Sequence, residues 1–217
     1  MAGAPRAGIY IAGRLTGHDW LAFRKQVQVG GPEEPWAQAF ADYFETRLKL
    51  RYLLPIDTLI SEGTLRGEGF SIVALQCTLI EFLAAVKDGK NYRRLTKAEH
   101  KAGVKIGPNE YDNSREIFTK FLSGDPVFAP AFPTIDEAEE FYVSVRCGLL
   151  HEAQTKNGWT IWAGTDQGPI VDAKRKIVFR DKLQKAILGW VQGYGLSLVK
   201  DKTLQDGFLR KFDNLNS

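Results

Sequence analysis

A chain of 217 residues is long enough to bury a sizeable core and suits one domain, or one domain with an elaborated edge. Its hydrophobic fraction of 44% and charged fraction of 25% are ordinary for a soluble globular protein. The net charge of +3 permits a nucleic-acid partner without arguing for one, and two isolated cysteines, Cys77 and Cys147, exclude a disulfide framework and a CxxC zinc site.

The first residues, MAGAPRAGIYIAG, carry too short an apolar stretch for a signal-peptide core. No run approaches the roughly 18 apolar residues that span a bilayer, so a cytoplasmic protein without a membrane segment is expected. Residues 1–35 read as an irregular N-terminal segment with one strand-like stretch, IYIAG. Glu33, Glu34 and Pro35 then favour a helix start, since acidic groups suit the N-terminal dipole and proline suits the first turn. From Trp36 the pattern is helical, with Phe40, Tyr43, Phe44, Leu48 and Tyr52 recurring at spacings of three and four. Pro55 is expected to kink or end that helix.

The loop SEGTLRGEG follows. Its RGEGF string has two glycines and no preceding strand, so it reads as a turn and helix cap rather than a nucleotide-binding loop. The next segment, GFSIVALQCTLIEFLAAVKDG, predicts a central helix capped by Ser71 and stopped by Gly89. Glu81 is its only interior charge and needs a partner, because unpaired burial is costly. Residues 88–113 form a polar, basic stretch that reads as a flexible insertion. Its charges predict a solvated face, or a phosphate-contacting arm through Arg93, Arg94, Lys97 and Lys101 if an RNA site lies nearby.

A short helix is predicted over Ser114–Leu122. Thr134 with Glu137 forms a capping box for a helix running to about Gln154. NGWTIWAG and KRKIVF predict two strands of a hairpin, followed by a final helix from about Arg180 to Lys200. The tail LQDGFLRKFDNLNS is expected to pack loosely. The fold class is mainly α: a helical bundle with a small β-hairpin before the last helix, in one domain over residues 36–217.

The stretch FYVSVRCGLLHEAQTKNGWTIW carries Arg146 and His151 on a helix that should bury Val145, Leu149 and Leu150. Residues five apart on a straight α-helix diverge by about 140°, so this is not the spacing of a zinc-binding HExxH pair, and no metal site is expected. Cys147 and Gly148 flank His151 on its own face, and a glycine there predicts close packing or space for a ligand. A purely structural reading pairs Arg146 with Glu81 or Glu140 and lets His151 cap its helix.

The pattern Arg146-Cys147-Gly148-Leu149-Leu150-His151 resembles the Arg, four residues, His signature of the HEPN superfamily. The likeness extends loosely over residues 36–200, with long helices, the motif on a late helix, and a closing helix. Members that cut RNA often place Asn, Asp or His after the arginine, where this chain has Cys147. The resemblance implies a helical bundle that pairs as a homodimer and cuts RNA without a metal or cofactor. It implies a toxin or anti-phage defence effector, with an antitoxin or other defence subunit among its partners. His151 would exchange protons and Arg146 would clamp phosphate, with Glu81, Glu152, Cys147 and Gly148 in support. A non-catalytic HEPN-like subunit that binds RNA, a nucleotide or a protein is the alternative.

Overall fold

The protein is mainly α. A computed structural model describes residues 9–64, 66–164 and 168–216; the expectations for residues 1–8, Leu65, residues 165–167 of the predicted hairpin loop, and Ser217 lie outside these. In chain order the helices are α1 (Gly17–Phe23), α2 (Glu33–Ala39), α3 (Thr46–Leu48), α4 (Leu54–Ser61), α5 (Glu68–Lys87), α6 (Lys97–Lys101), α7 (Ser114–Gly124), α8 (Ile135–Phe141), α9 (Gly148–Glu152), α10 (Arg180–Leu198) and α11 (Lys202–Leu215). The strands are short: β1 (Tyr10–Ala12), β2 (Leu15–Thr16), β3 (Asn91–Tyr92), β4 (Glu110–Tyr111), β5 (Thr160–Trp162), β6 (Val171–Asp172) and β7 (Ile177–Phe179).

The chain divides into two compact units. The first comprises residues 1–51, 85–113 and 192–217. Its core is aromatic: Phe208 and Phe212 stack at 4.4 Å, Trp20 packs against both, and Phe44 reaches Tyr194 at 5.2 Å. The segment ahead of residue 36 contributes to this core, since Trp20 is fully buried and its indole nitrogen donates to Asp213 at 2.8 Å. The tail is not loosely packed. Asp201 caps α11 by accepting from Thr203 and Leu204, and one apolar stripe carries Phe208, Leu209 and Phe212 into the interior.

Residues 88–113, expected as a flexible insertion, hold the parallel β3–β4 ladder and α6. Thr96 and Glu99 close a capping box at α6, and Arg93 binds Glu99 at 2.8 Å and Glu110 at 3.1 Å. Hydrogen bonds from Arg93 and from the Thr96 and Gly107 N–H groups to the Glu99 and Glu110 carboxylates, not length of apolar surface, order this segment.

The second unit comprises residues 52–84 and 114–191. Phe141 lies at its centre, against Phe118, Phe132 and Trp159. The expected two-stranded hairpin is a three-stranded sheet in the order β5-β7-β6. β5 pairs with β7 in parallel, and the antiparallel partner of β7 is β6. That hairpin precedes α10, and the last helix is α11 rather than the segment from Arg180.

Helix α5 begins at Glu68, three residues before the expected Ser71 cap, and stops as expected at Gly89, whose φ is +61°. By length and composition α5 is long and apolar enough to cross a membrane, a test that a buried core helix also meets, and 56% of its apolar window is buried inside the protein. Pro55 does not end its helix. Proline has no N–H for the carbonyl four residues back, and the winding widens to π type over Lys49–Leu53 before α4 resumes.

Candidate functional site

Arg146 and His151 lie within the second unit, on the helix that starts at the Thr134–Glu137 capping box. That helix is not uniform. Residues Tyr142–Cys147 wind as a π-helix between α8 and α9, an arrangement that recurs at functional sites. The helix ends at Ala153, which adopts a left-handed φ of 55°, so it stops short of the expected Gln154. Val145 and Leu149 are buried as expected, while Leu150 is 60% exposed.

Within the π turn, Arg146 donates from Nη2 to Glu81 Oε2 at 3.0 Å, and the other carboxylate oxygen accepts from the Ser114 hydroxyl at 2.7 Å. The Arg146 guanidinium lies over the Tyr142 ring at 5.2 Å, with Arg115 over the same ring at 5.9 Å. Side-chain exposures of 19% and 15% place Arg146 and Glu81 at the edge of the interior, neither sealed from solvent. Burial works against the Arg146 charge, but Tyr142 and Glu81 outweigh it, and its pKa is raised above the ordinary arginine value. Burial likewise holds the Tyr142 hydroxyl above the usual phenol range. Of the two partners the sequence allows for Arg146, Glu81 is the one used. Glu140 receives the indole N–H of Trp159 at 3.3 Å and the Lys176 ammonium at 3.2 Å.

His151 is exposed, in the last turn of α9. The π winding ends at Cys147, so most of the path from Arg146 to His151 is α-helical and most of the angular offset remains. Arg146 turns inward to Glu81 while His151 meets solvent. Glu152 is exposed and pairs with Lys156 at 3.1 Å. Gly148 serves packing: a Cβ there would sit 2.6 Å from the Gln154 carbonyl oxygen. The chain folds back at that point, Lys156 giving its N–H to the Ser144 carbonyl at 2.7 Å. Cys147 is half-buried, and burial pushes the Cys77 thiol up to about 12.

Of the predicted RNA-contacting residues, Arg94, Lys97 and Lys101 are exposed and Arg93 is engaged by Glu99 and Glu110. All four belong to the first unit, whereas Arg146 and His151 belong to the second. Among the described residues, no group of three or more His, Cys, Asp or Glu side chains is placed to hold a metal ion. Sequence reasoning did not find Ser114, Tyr142 or Arg115. Ser114 reads as the start of a short helix, and nothing in its spacing ties it to Glu81, 33 residues earlier.

Comparison with family models, curated proteins and solved structures finds no match to this chain.

Proposed function

We propose that the chain is a HEPN-type endoribonuclease, active in the cytoplasm as a toxin or defence effector, whose site is completed by a second copy of itself. The observation that carries this reading is the Arg146 guanidinium, held in a π turn by Glu81 and Tyr142 and only partly covered, on the same helix as a solvent-exposed His151. Fixing a guanidinium by one nitrogen leaves its other N–H groups preorganised for a phosphate oxygen. Val143 and Leu150 on that helix are 37% and 60% exposed, apolar surface that suits contact with a second copy.

RNA brings its own nucleophile. The 2′-oxygen attacks the adjacent phosphorus as an imidazole takes its proton, and the bond from phosphorus to the 5′-oxygen breaks. The imidazole of the second copy returns a proton to that leaving oxygen, and Arg146 opposes the extra negative charge at phosphorus. The products are a 2′,3′-cyclic phosphate and a 5′-hydroxyl, and these steps use no metal.

A second reading, a non-catalytic HEPN-like module that binds RNA, a nucleotide or a protein, is favoured by the Glu81 contact, which already neutralises Arg146. Incubating the wild-type protein and a His151→Ala variant with a mixed-sequence RNA separates the two. Cleavage by wild type and its loss in the variant supports the nuclease; salt-sensitive binding by both without cleavage supports the module.

A further inference from the structure

Where β5 ends beside the starts of α5 and α10, the second unit forms a half-open cavity of about 360 Å³. That volume lies in the range of small-molecule sites, roughly 300–1,000 Å³. Gly67, Gly69 and Phe70 form one wall, Ile161 and Trp162 another, and Arg180 the floor. Arg180 is only 4% exposed. Its nearest carboxylates, Glu68 Oε1 at 3.6 Å and Asp181 Oδ1 at 3.4 Å, are ion contacts, and both Arg180 Nε and Asp181 Oδ1 are buried without a hydrogen-bond partner. A guanidinium carries five donors, and leaving the one on Nε buried without an acceptor is costly, so the geometry is that of a group awaiting an acceptor.

The remaining walls say what shape of acceptor fits. Trp162 and Phe70 keep 44% and 40% exposure while lining the same cavity. Trp162 is held from outside by Arg175 over its ring at 5.2 Å and by Phe179 at 6.3 Å, so its plane is set in advance. Gly69 brings the start of α5 against the floor: a Cβ there would lie 3.3 Å from Ile161 and 3.4 Å from Arg180 Nη1. Flat aromatic walls around a small volume select a flat ring. Charge then selects among rings. Glu68 and Asp181 already stand beside Arg180, so a ligand carboxylate or phosphate would be repelled by two negative charges, whereas a neutral carbonyl carries no net charge for them to repel.

We propose that this cavity binds a flat heterocycle whose edge carries a carbonyl beside a ring N–H, the carbonyl accepting from Arg180, the N–H facing Glu68, and the ring lying against Trp162 and Phe70. Among the RNA bases guanine and uracil carry that edge, and they reach a protein either as free nucleosides or as unstacked bases of single-stranded RNA. The site is separate from Arg146 and His151 and stands whether or not RNA is cut.

Calorimetric titration with guanosine, uridine, benzoate and a single-stranded oligoguanylate or oligouridylate tests it. Guanosine or uridine is expected to bind saturably. Trp162→Ala and Phe70→Ala, both at exposed side chains, are expected to weaken binding about tenfold. Gly69→Leu is expected to abolish it, and His151→Ala to leave it unchanged. An oligonucleotide that binds more tightly than its nucleoside, and competes with it, identifies RNA as the source; equal affinity identifies the free nucleoside. Absence of saturable binding by every nucleoside and oligonucleotide overturns the proposal. So does wild-type affinity in both aromatic variants, or benzoate binding more tightly than the nucleosides.

Discussion

At residue scale, Gly148 and Glu81 show how far side-chain chemistry can be read before a fold is known. The need of Glu81 for a partner is legible, because a lone carboxylate on an apolar helix is unstable unless paired. Arg146 has two candidate carboxylates, Glu81 and Glu140, and Glu140 sits closer in sequence. The role of Gly148 was open between ligand space and close packing, and the returning backbone at Gln154 decides it. Gly148→Ala should therefore destabilise the protein by about 1–3 kcal/mol despite the better helix propensity of alanine, because the clash is with backbone that cannot swing away. Denaturant unfolding checks this, and an increase in stability would contradict it. Glu81→Ala strips a half-buried guanidinium of its acceptor and should cost about 1–3 kcal/mol by the same measurement; no measurable loss would show that Arg146 does not depend on Glu81.

Element scale brings other forces into view. The capping boxes at Thr134 and Thr96 are local signals, since both partners lie within four residues; Thr134 was read from sequence and Thr96 was overlooked. The π windings at 40–45, 49–53 and 142–147 are not legible, because apolar spacing of three and four fits an α-helix as well. Nor is the parallel pairing of β5 with β7, which joins residues 17 apart and depends on where β6 is inserted. Ordering of residues 88–113 rests on charge. The backbone N–H of Thr96, with Arg93, holds the Glu99 carboxyl down to about 2. A carboxyl lowered on folding stabilises the folded segment above its unfolded value near 4.5, and that contribution disappears as pH falls towards 2. Amide exchange across α6 should thus accelerate between about pH 4.5 and 2 before the aromatic cores open. Protection of α6 that is unchanged down to pH 2 would contradict it.

For the whole molecule, the mainly α class follows from periodicity that runs most of the chain's length. The division into two units, each assembled from separated stretches, does not, because a sequence read in order gives no sign that residues 192–217 join the first 51. The tail shows the same gap. LQDGFLRKFDNLNS is polar by count, and only its 3.6-residue spacing reveals a stripe that packs against Trp20 and Phe44. Phe208→Ala should cost about 3–5 kcal/mol, as for other fully buried aromatic residues, and denaturant unfolding would show it. A loss under about 1 kcal/mol would mean that α11 is not part of the first unit's core.

The proposed chemistry depends on an exposed imidazole and a pinned guanidinium acting on one phosphodiester. End-group analysis of RNA incubated with the purified protein in excess chelator tests this most directly. The account predicts fragments ending in 2′,3′-cyclic phosphate and beginning with 5′-hydroxyl, formed by wild type and not by His151→Ala. Intact RNA, or fragments bearing 5′-phosphate, would contradict it.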